Sequence, residues 1–147
     1  MERRVKLALA GIILVILLTT ILSLPGCSNK SVDKDTIKVG VILPLSGVRS
    51  DAGESHSKGL ELALEEINNN PKNKYKIELM YEDDQYDPKQ GVSGFKELTE
   101  KENVNFIIGP VGTSVVLGVA PVAEEKKIIL VTPGAQGDQI TNSGDYI

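Results

Sequence analysis

The fold is decided by residues 37–43, IKVGVIL, a short apolar run that is rich in β-branched side chains and ends at Pro44. A run of this kind, bounded by a turn-forming residue, is typical of a buried β-strand. Three similar runs follow it: residues 76–81 (KIELMY), 104–108 (VNFII) and 128–131 (IILV). The sequence therefore predicts four strands that are separated by longer and more polar segments.

Each interval between two predicted strands carries a helical pattern. In residues 55–69 four apolar side chains recur at helical spacing: Leu60, Ala63, Leu64 and Ile67. Glutamates lie on the other face of the predicted helix. A second helix is expected to start at Asp87-Pro88, because aspartate is a good N-cap and proline fits the first helical position. Its inner stripe would consist of Val92, Phe95 and Leu98. A third helix is predicted over residues 114–125.

The resulting order, βαβαβαβ, predicts an α/β fold with a three-layer, Rossmann-like architecture. Parallel strands need crossover connections, so the alternation favours a parallel sheet with helices on both faces. Ligands of such sheets bind beyond the carboxyl ends of the strands. The loops expected to carry function are therefore residues 44–54, 82–87, 109–114 and 132–138.

The N-terminal segment has the layout of a secretory signal peptide. Residues 2–6 (ERRVK) are basic, residues 7–24 carry no charge, and Pro25-Gly26-Cys27 precedes a polar stretch. The tail at residues 24–27 resembles the lipobox of bacterial lipoproteins, in which the cysteine is acylated and becomes the new N-terminus. This resemblance implies a signal peptide at residues 1–26 and a lipidated tether at residues 27–36.

Two other interpretations of this segment stay open, namely an uncleaved membrane anchor and a signal peptide without lipidation. Eighteen apolar residues are about long enough to span a bilayer. All three interpretations place the rest of the chain on the extracytoplasmic face of the cell membrane, in the periplasm or at the cell surface, because the positive charges flank the N-terminal side. Cys27 is the only cysteine, so no internal disulfide can form.

The charge balance argues against a nucleic-acid partner. The chain of 147 residues has a net charge of −4. Residues 1–26 hold three basic residues and one acidic residue, so the remainder keeps 13 basic and 19 acidic side chains and a net charge of −6. Binding to nucleic acid requires a basic surface that displaces counterions.

Residues 37–47 (IKVGVILPLSG), Gly53 and residues 59–68 (GLELALEEIN) resemble the start of the type I periplasmic binding proteins. The most similar branch is the branched-chain amino acid (Leu/Ile/Val-type) substrate-binding proteins of ABC transporters. Further matches follow in order at Asp83-Asp84, residues 87–90 (DPKQ), residues 107–109 (IIG), Ser114 and residues 131–133 (VTP). The resemblance covers residues 37–147.

In that family two α/β lobes close on a small ligand, so the resemblance implies that residues 37–147 form part of the first lobe. The family is several hundred residues long, and the chain is therefore interpreted as an N-terminal fragment or a truncated gene product. The absent second lobe would supply an acidic partner for a ligand ammonium. The implied partners are an ABC permease in the membrane and a small ligand, namely a branched-chain or other small amino acid or a related carboxylate or amide; neither a cofactor nor a metal is expected.

The resemblance also implies which residues hold the ligand. By position, the ligand carboxylate would be bound by Thr113 and Ser114 after the third strand and by Gly134, Ala135 and Gln136 after the fourth. A helix start after residue 112 agrees with this, because its backbone N–H groups and positive dipole end favour an anion. Ser46, at the end of the first strand, is expected to line the same cleft. The family often has a tyrosine where Ala52 stands and a hydroxyl residue where Gln136 stands.

Other polar groups are interpreted structurally. Glu82-Asp83-Asp84 is expected to be a solvated loop, and the sole histidine, His56, a surface or helix-start residue. Thr113 and Ser114 could also serve as an N-cap. No Ser/His/Asp set is present, so no enzymatic activity is predicted. The leading hypothesis is the solute-binding component of an ABC importer for amino acid transport; the alternative is an extracellular ligand-sensing domain of a membrane receptor.

Overall fold

Four parallel strands form the sheet in the computed structural model, which describes residues 36–147. They are β1 (Thr36–Leu43), β2 (Lys76–Asp83), β3 (Phe106–Ile108) and β4 (Ile129–Val131), in the order β2-β1-β3-β4. The four strands and their parallel pairing confirm the predicted α/β fold. The expected signal peptide, Cys27 and the tether as far as residue 35 lie outside the described residues.

The helices are α1 (Ser50–Asn69), α2 (Pro88–Lys96), α3 (Thr113–Lys126) and the short α4 (Asp138–Thr141). A 3₁₀ turn, Gly47–Arg49, leads into α1, and a π-helical turn, Glu97–Lys101, extends α2. The N-cap prediction for α2 is confirmed, because the N–H groups of Lys89 and Gln90 donate to Asp87 Oδ1 at 2.8 and 3.1 Å. By contrast, α1 begins five residues before the predicted start at Ser55. The prediction missed these residues because the segment 50–54 (SDAGE) shows no apolar periodicity.

The core lies on the face of the sheet that packs against α2 and α3. Its buried side chains come from both helices, from the strands and from the adjoining loops: Ile42, Phe95, Leu98, Val104, Ile107, Val115, Val119, Ala123, Ile128 and Leu130. Two of the three residues of the predicted α2 stripe, Phe95 and Leu98, are buried in it, and Val92 packs against it. The two helices approach closely at Gly91, where an added Cβ would meet Val115 Cγ1.

The opposite face of the sheet is only partly covered. Leu60 and Leu64 of α1 are half-buried near Val39 and Leu79, but Ala63 and Ile67 of the predicted inner stripe are exposed. The β3 and β4 side chains that alternate with core residues are exposed as well: Phe106, Ile129 and Val131. The helical spacing predicted for these α1 residues is present, but α1 covers this face of the sheet only in part. Within the same residues no helix has the length and apolarity needed to cross a membrane.

Candidate functional site

A cavity of about 370 Å³ lies beyond the carboxyl ends of the strands. Its lining comes from the segment after β1, the loop after β2, the start of α3 and the loop after β4: Arg49, Ala52, His56, Tyr86, Val111, Thr113, Gly134 and Gln136. Strand β1 has β2 on one side and β3 on the other, so the chain reverses its direction of winding here. In open α/β sheets this switch point is where ligands bind.

The structure brings together three of the six residues predicted to bind the ligand. Thr113, Gly134 and Gln136 line the cavity, whereas Ser46, Ser114 and Ala135 are not part of its lining. Ser114 follows Thr113 in the first turn of α3 and is exposed. The two loops after β3 and β4 therefore meet as expected, at the predicted edge of the sheet.

The Thr113 hydroxyl joins these two loops. It donates to the carbonyl oxygen of Gln136 at 3.0 Å and accepts from the Gln136 N–H at 3.2 Å. Its single proton is used in this hydrogen bond, so the hydroxyl joins the start of α3 to the loop after β4. Thr113 is the first residue of α3, and Gly112 is the N-cap. The N-cap role considered for Thr113 and Ser114 was therefore wrong.

The start of α3 has no side-chain cap. The first N–H groups of a helix lack intrahelical partners, and the helix dipole places positive potential beside them. Gly112 is buried against the Tyr86 ring, and its neighbours Val111 and Thr113 line the cavity. The donors available for an anion at α3 are consequently backbone N–H groups.

Ser46 holds the loop after β1 against the end of β2. Its hydroxyl donates to Asp83 Oδ2 at 2.6 Å, and the N–H groups of Leu45, Ser46 and Gln85 donate to Asp83 Oδ1 at 2.8, 3.2 and 3.0 Å. Partial burial alone would raise the pKa of the Asp83 carboxyl, but these hydrogen bonds together bring that pKa below its ordinary value. The Ser46 side chain thus binds Asp83, at a position that does not line the cavity.

Asp84 supports the loop that carries Tyr86. It is fully buried, its Oδ1 accepts the Tyr86 N–H at 2.8 Å, and its Oδ2 has no partner among the described residues. Burial raises the pKa of Asp84 despite this hydrogen bond, and the nearby Asp83 charge adds to the rise. The solvated-loop interpretation was therefore wrong. Glu82 and Asp83 are the last residues of β2, and the Asp84 N–H donates to the Leu43 carbonyl oxygen at 3.0 Å, which draws the loop inward.

Sequence reasoning missed the part of the lining that comes from the segment after β1 and from Tyr86. Arg49, Ala52 and His56 are spaced by three and four residues and share one face of α1 and its preceding turn. His56 lies within the helix, half-buried, with Nδ1 2.8 Å from the Ala52 carbonyl oxygen, and not at the helix start. An earlier start for α1 would have revealed this face. Within residues 36–147 no group of three potential metal ligands occurs.

Residues 36–146 match the profile of the family described as periplasmic binding protein. The chain belongs to this family. It is 38% identical over 109 residues to the Leu/Ile/Val-binding protein homolog 3 of Brucella melitensis, covering 74% of this chain and 29% of that protein. It is 28% identical over 124 residues to the leucine-, isoleucine-, valine-, threonine- and alanine-binding protein of Pseudomonas aeruginosa, covering 84% and 33%.

Solved structures agree with the fold of this periplasmic binding protein. An ABC transporter solute binding protein from Rhodopseudomonas palustris, in complex with 3,4-dihydroxybenzoic acid, has a TM-score of 0.72 and 29% identity, covering 78% of this chain and 31% of that chain. A branched-chain amino acid transporter substrate binding protein from Streptococcus pneumoniae, in complex with isoleucine, has a TM-score of 0.71 and 27% identity, covering 76% and 32%. The predicted type I fold is confirmed, and the chain spans about 30% of the length of these relatives.

Proposed function

We propose that this chain forms the first ligand-binding lobe of the extracytoplasmic solute-binding component of an ABC importer, and that its ligand is a small amino acid or a related carboxylate. The observation that carries the proposal is the cavity at the switch point, into which the loops after β3 and β4 bring Thr113, Gly134 and Gln136 beside the start of α3. Binding and release of the solute, without a chemical step, constitute the function.

The electrostatics of the cavity suit a carboxylate. The start of α3 carries partial positive charge on backbone N–H groups, worth about 0.3–1 kcal/mol for an exposed anion. The eight lining residues include one arginine and one histidine but no aspartate or glutamate. No negative side chain of the lining therefore opposes an anion at this wall.

The ligands of similar solved structures support the carboxylate as the common feature. These complexes contain isoleucine, 3,4-dihydroxybenzoic acid, 4-hydroxybenzoate and benzoate. The four molecules share a carboxylate, whereas three of them carry an aromatic ring and isoleucine carries an ammonium group and an aliphatic side chain. This range is explained if the first lobe binds the carboxylate and the remainder of the site determines which side chain or ring is accepted.

Export and anchoring complete the proposal. The sequence at residues 24–27 supports acylation of Cys27, which would hold the lobe beside a permease in the same membrane. An uncleaved anchor would place it on the same face. Metabolic labelling with a fatty acid, compared between the wild type and Cys27→Ser, tests the lipid anchor: loss of label in Cys27→Ser supports it, and an unlabelled wild type contradicts it.

The ligand class can be tested by thermal shift on the full-length protein. The panel consists of branched-chain amino acids, small aliphatic carboxylates and benzoates, each paired with the corresponding amide as a control without the carboxylate charge. A ligand at a hundredfold excess over its Kd stabilises the folded protein by about 2.7 kcal/mol. We expect stabilisation by one or more acids and none by their amides. Equal stabilisation by the amides, or none by any acid, would contradict the proposal.

Thr113 provides a test of the cavity itself. Thr113→Val removes the two hydrogen bonds that hold the Gln136 backbone, and we expect the affinity for the identified ligand to fall about tenfold. Thr113→Ser keeps the hydroxyl and should bind almost as the wild type does. Isothermal titration of the three proteins measures the difference. Unchanged affinity in Thr113→Val would show that the ligand binds elsewhere.

A cellular experiment separates an importer from a sensor. Cells that lack the gene should lose high-affinity uptake of the identified ligand and regain it when the gene is restored. Normal uptake, combined with a lost transcriptional or behavioural response to the same ligand, would identify the receptor domain that the sequence also allows.

A further inference from the structure

One cationic residue of the cavity wall forms no ion pair with any residue in the range 36–147. Arg49 ends the 3₁₀ turn before α1 and lines the cavity. The ion pairs formed within residues 36–147 are Lys38–Glu102, Lys58–Glu54, Lys101–Glu97 and Lys126–Glu100, and none includes Arg49. Since the lining contains no acid, the charge of Arg49 is available to a ligand.

The Tyr86 ring fixes where this charge lies. The Arg49 guanidinium stacks over the ring at 5.4 Å from its centroid, a cation–π arrangement. The same ring rests against Gly112, where an added Cβ would lie 2.6 Å from Tyr86 Cε2. Tyr86 is therefore in contact both with the cation and with the residue that caps α3. This arrangement places Arg49 on the same wall as the backbone donors proposed to hold the ligand carboxylate.

The backbone of Tyr86 is itself held in place. It has a φ of +60°, a left-handed conformation that is uncommon for residues other than glycine, and its N–H donates to the buried Asp84 at 2.8 Å. Ala52, one turn after Arg49 and also part of the lining, has only a methyl group. A ligand can thus reach the guanidinium from the cavity without displacing a large side chain at this position.

Two positive features on one wall distinguish between ligands that share a carboxylate. A zwitterion places an ammonium group in the same cleft as Arg49 and the start of α3, and like charges repel. A molecule without the ammonium avoids this repulsion, and a second acidic group would gain an ion pair with the guanidinium. Arginine is well suited to this task because its planar fork can donate two parallel hydrogen bonds to a carboxylate.

We infer that Arg49 selects a ligand with net negative charge, an organic acid rather than a zwitterionic amino acid. This inference rests on the proposed carboxylate-binding function and narrows its ligand class. It assigns Arg49 a role in specificity, with Tyr86 as the residue that positions it. Under this inference, the cavity wall formed by residues 36–147 binds the carboxylate of the solute and also discriminates between solutes by their net charge.

Titration calorimetry on the full-length protein, with pairs of similar molecules that differ by one charge, tests the inference. The probes are leucine and 4-methylpentanoate, glutamine and glutamate, and 4-(aminomethyl)benzoate and 4-methylbenzoate; within each pair the second molecule is more negative by one charge. We expect the wild type to bind the more negative member of at least one pair about tenfold tighter. In Arg49→Gln that preference should disappear, while Arg49→Lys retains part of it.

The control is Lys74→Gln, which removes another exposed cation, one that stacks over Tyr75 at 5.3 Å and is not part of the cavity lining. It should leave all affinities unchanged, which excludes an effect of overall charge. Preference for the zwitterions by the wild type, or the same preference in Arg49→Gln as in the wild type, overturns the inference but leaves the carboxylate proposal intact. If no member of any pair binds, both fail together.

Discussion

Two adjacent carboxylates, Asp83 at the end of β2 and Asp84 in the loop that follows, have opposite electrostatic environments. Asp83 is partly buried, which would raise its pKa, but four donated hydrogen bonds bring that pKa below the ordinary value. Asp84 is fully buried with a single hydrogen bond, and its pKa is raised. The charged form of Asp83 is therefore favoured by folding, whereas folding disfavours the charged form of Asp84.

The two shifts act in opposite directions on stability. The contribution of Asp83 is present above the pKa of the unfolded chain and is lost as the pH falls through its lowered pKa in the folded protein. The contribution of Asp84 is fully present below the unfolded pKa and is lost as the pH rises through its raised pKa. The free energy of unfolding, measured across the acidic range, should accordingly fall at the lowest pH values because of Asp83. It should also fall as the pH rises through the raised pKa of Asp84.

Ser46→Ala tests the first of these effects. It removes the hydroxyl that donates to Asp83 at 2.6 Å, so we expect the free energy of unfolding to fall by about 1 kcal/mol at neutral pH. The loss should shrink as the pH falls and Asp83 becomes protonated. Urea unfolding at a series of pH values measures it, and the same substitution in an Asp83→Asn background is the control. A loss that stays constant with pH would contradict the assignment.

At the scale of single residues, the sequence supported only part of the site. Thr113, Gly134 and Gln136 could be predicted because each follows a strand whose end was recognisable. Tyr86 could not, because its position depends on a left-handed backbone and on a hydrogen bond to Asp84. The hydroxyls of Ser46 and Thr113 were expected to bind the ligand; a sequence does not show that nearer acceptors, Asp83 and the Gln136 carbonyl, already take their protons.

The packing of α2 against α3 depends on the absence of a side chain at Gly91. An added Cβ at Gly91 would meet Val115 Cγ1 inside the core, so we expect Gly91→Ala to reduce the free energy of unfolding by about 1–3 kcal/mol. Gly59 is also helical, in α1, and has nothing within 4 Å of its added Cβ. Gly59→Ala is the matched control and should stabilise the protein by about 0.5–1 kcal/mol.

Denaturant midpoints of the two variants and the wild type measure this contrast. Opposite signs for Gly91→Ala and Gly59→Ala would support close packing of α2 on α3. Stabilisation by both would mean that the helices have room to separate, and that helix propensity alone determines the outcome.

The elements themselves were more predictable than their ends. All four strands and the three longer helices follow from apolar runs, helical spacing and the Asp87-Pro88 start. The first turns of α1 were missed because residues 50–54 are small or polar and carry no periodic pattern. β2 continues to Asp83 because it pairs with β1 along its full length, and pairing of distant segments leaves no mark on local sequence.

For the molecule as a whole, the two faces of the sheet differ in cover. Phe106, Ile129 and Val131, on the face away from α2 and α3, are 47%, 43% and 56% exposed. Contiguous apolar patches on soluble proteins mark interaction surfaces or aggregation risks. We therefore expect residues 36–147, produced alone, to bind a hydrophobic dye and to self-associate.

Val131→Lys should reduce both dye binding and association of this segment. Val48 is 94% exposed but stands singly on a turn, and Val48→Lys is the matched control that should change neither. Dye fluorescence and sedimentation velocity provide the measurements. A monomeric segment that binds no dye, or an equal effect of both substitutions, would contradict the expectation.

The three-layer organisation could be predicted from the alternation of elements, but the extent of cover could not. Helical spacing in α1 identifies which face of the helix is apolar, yet it does not state what lies against that face. Leu60, Leu64 and Ile67 line one apolar groove with residues of the sheet, yet the two leucines are half-buried and Ile67 is 36% exposed. The cover of a face depends on the arrangement of all neighbouring elements, which no local pattern encodes.

The position of β1 in the sheet has a consequence for how the chain folds during synthesis. The first strand to be synthesised is central in the sheet, and its partners come much later: Thr36 pairs with Lys76, and Gly40 with Ile107. Pairing across such sequence separations is slow. During synthesis, β1 lacks its neighbour on one side until β3 has been made. During that interval β1 is the segment for which a chaperone would compete.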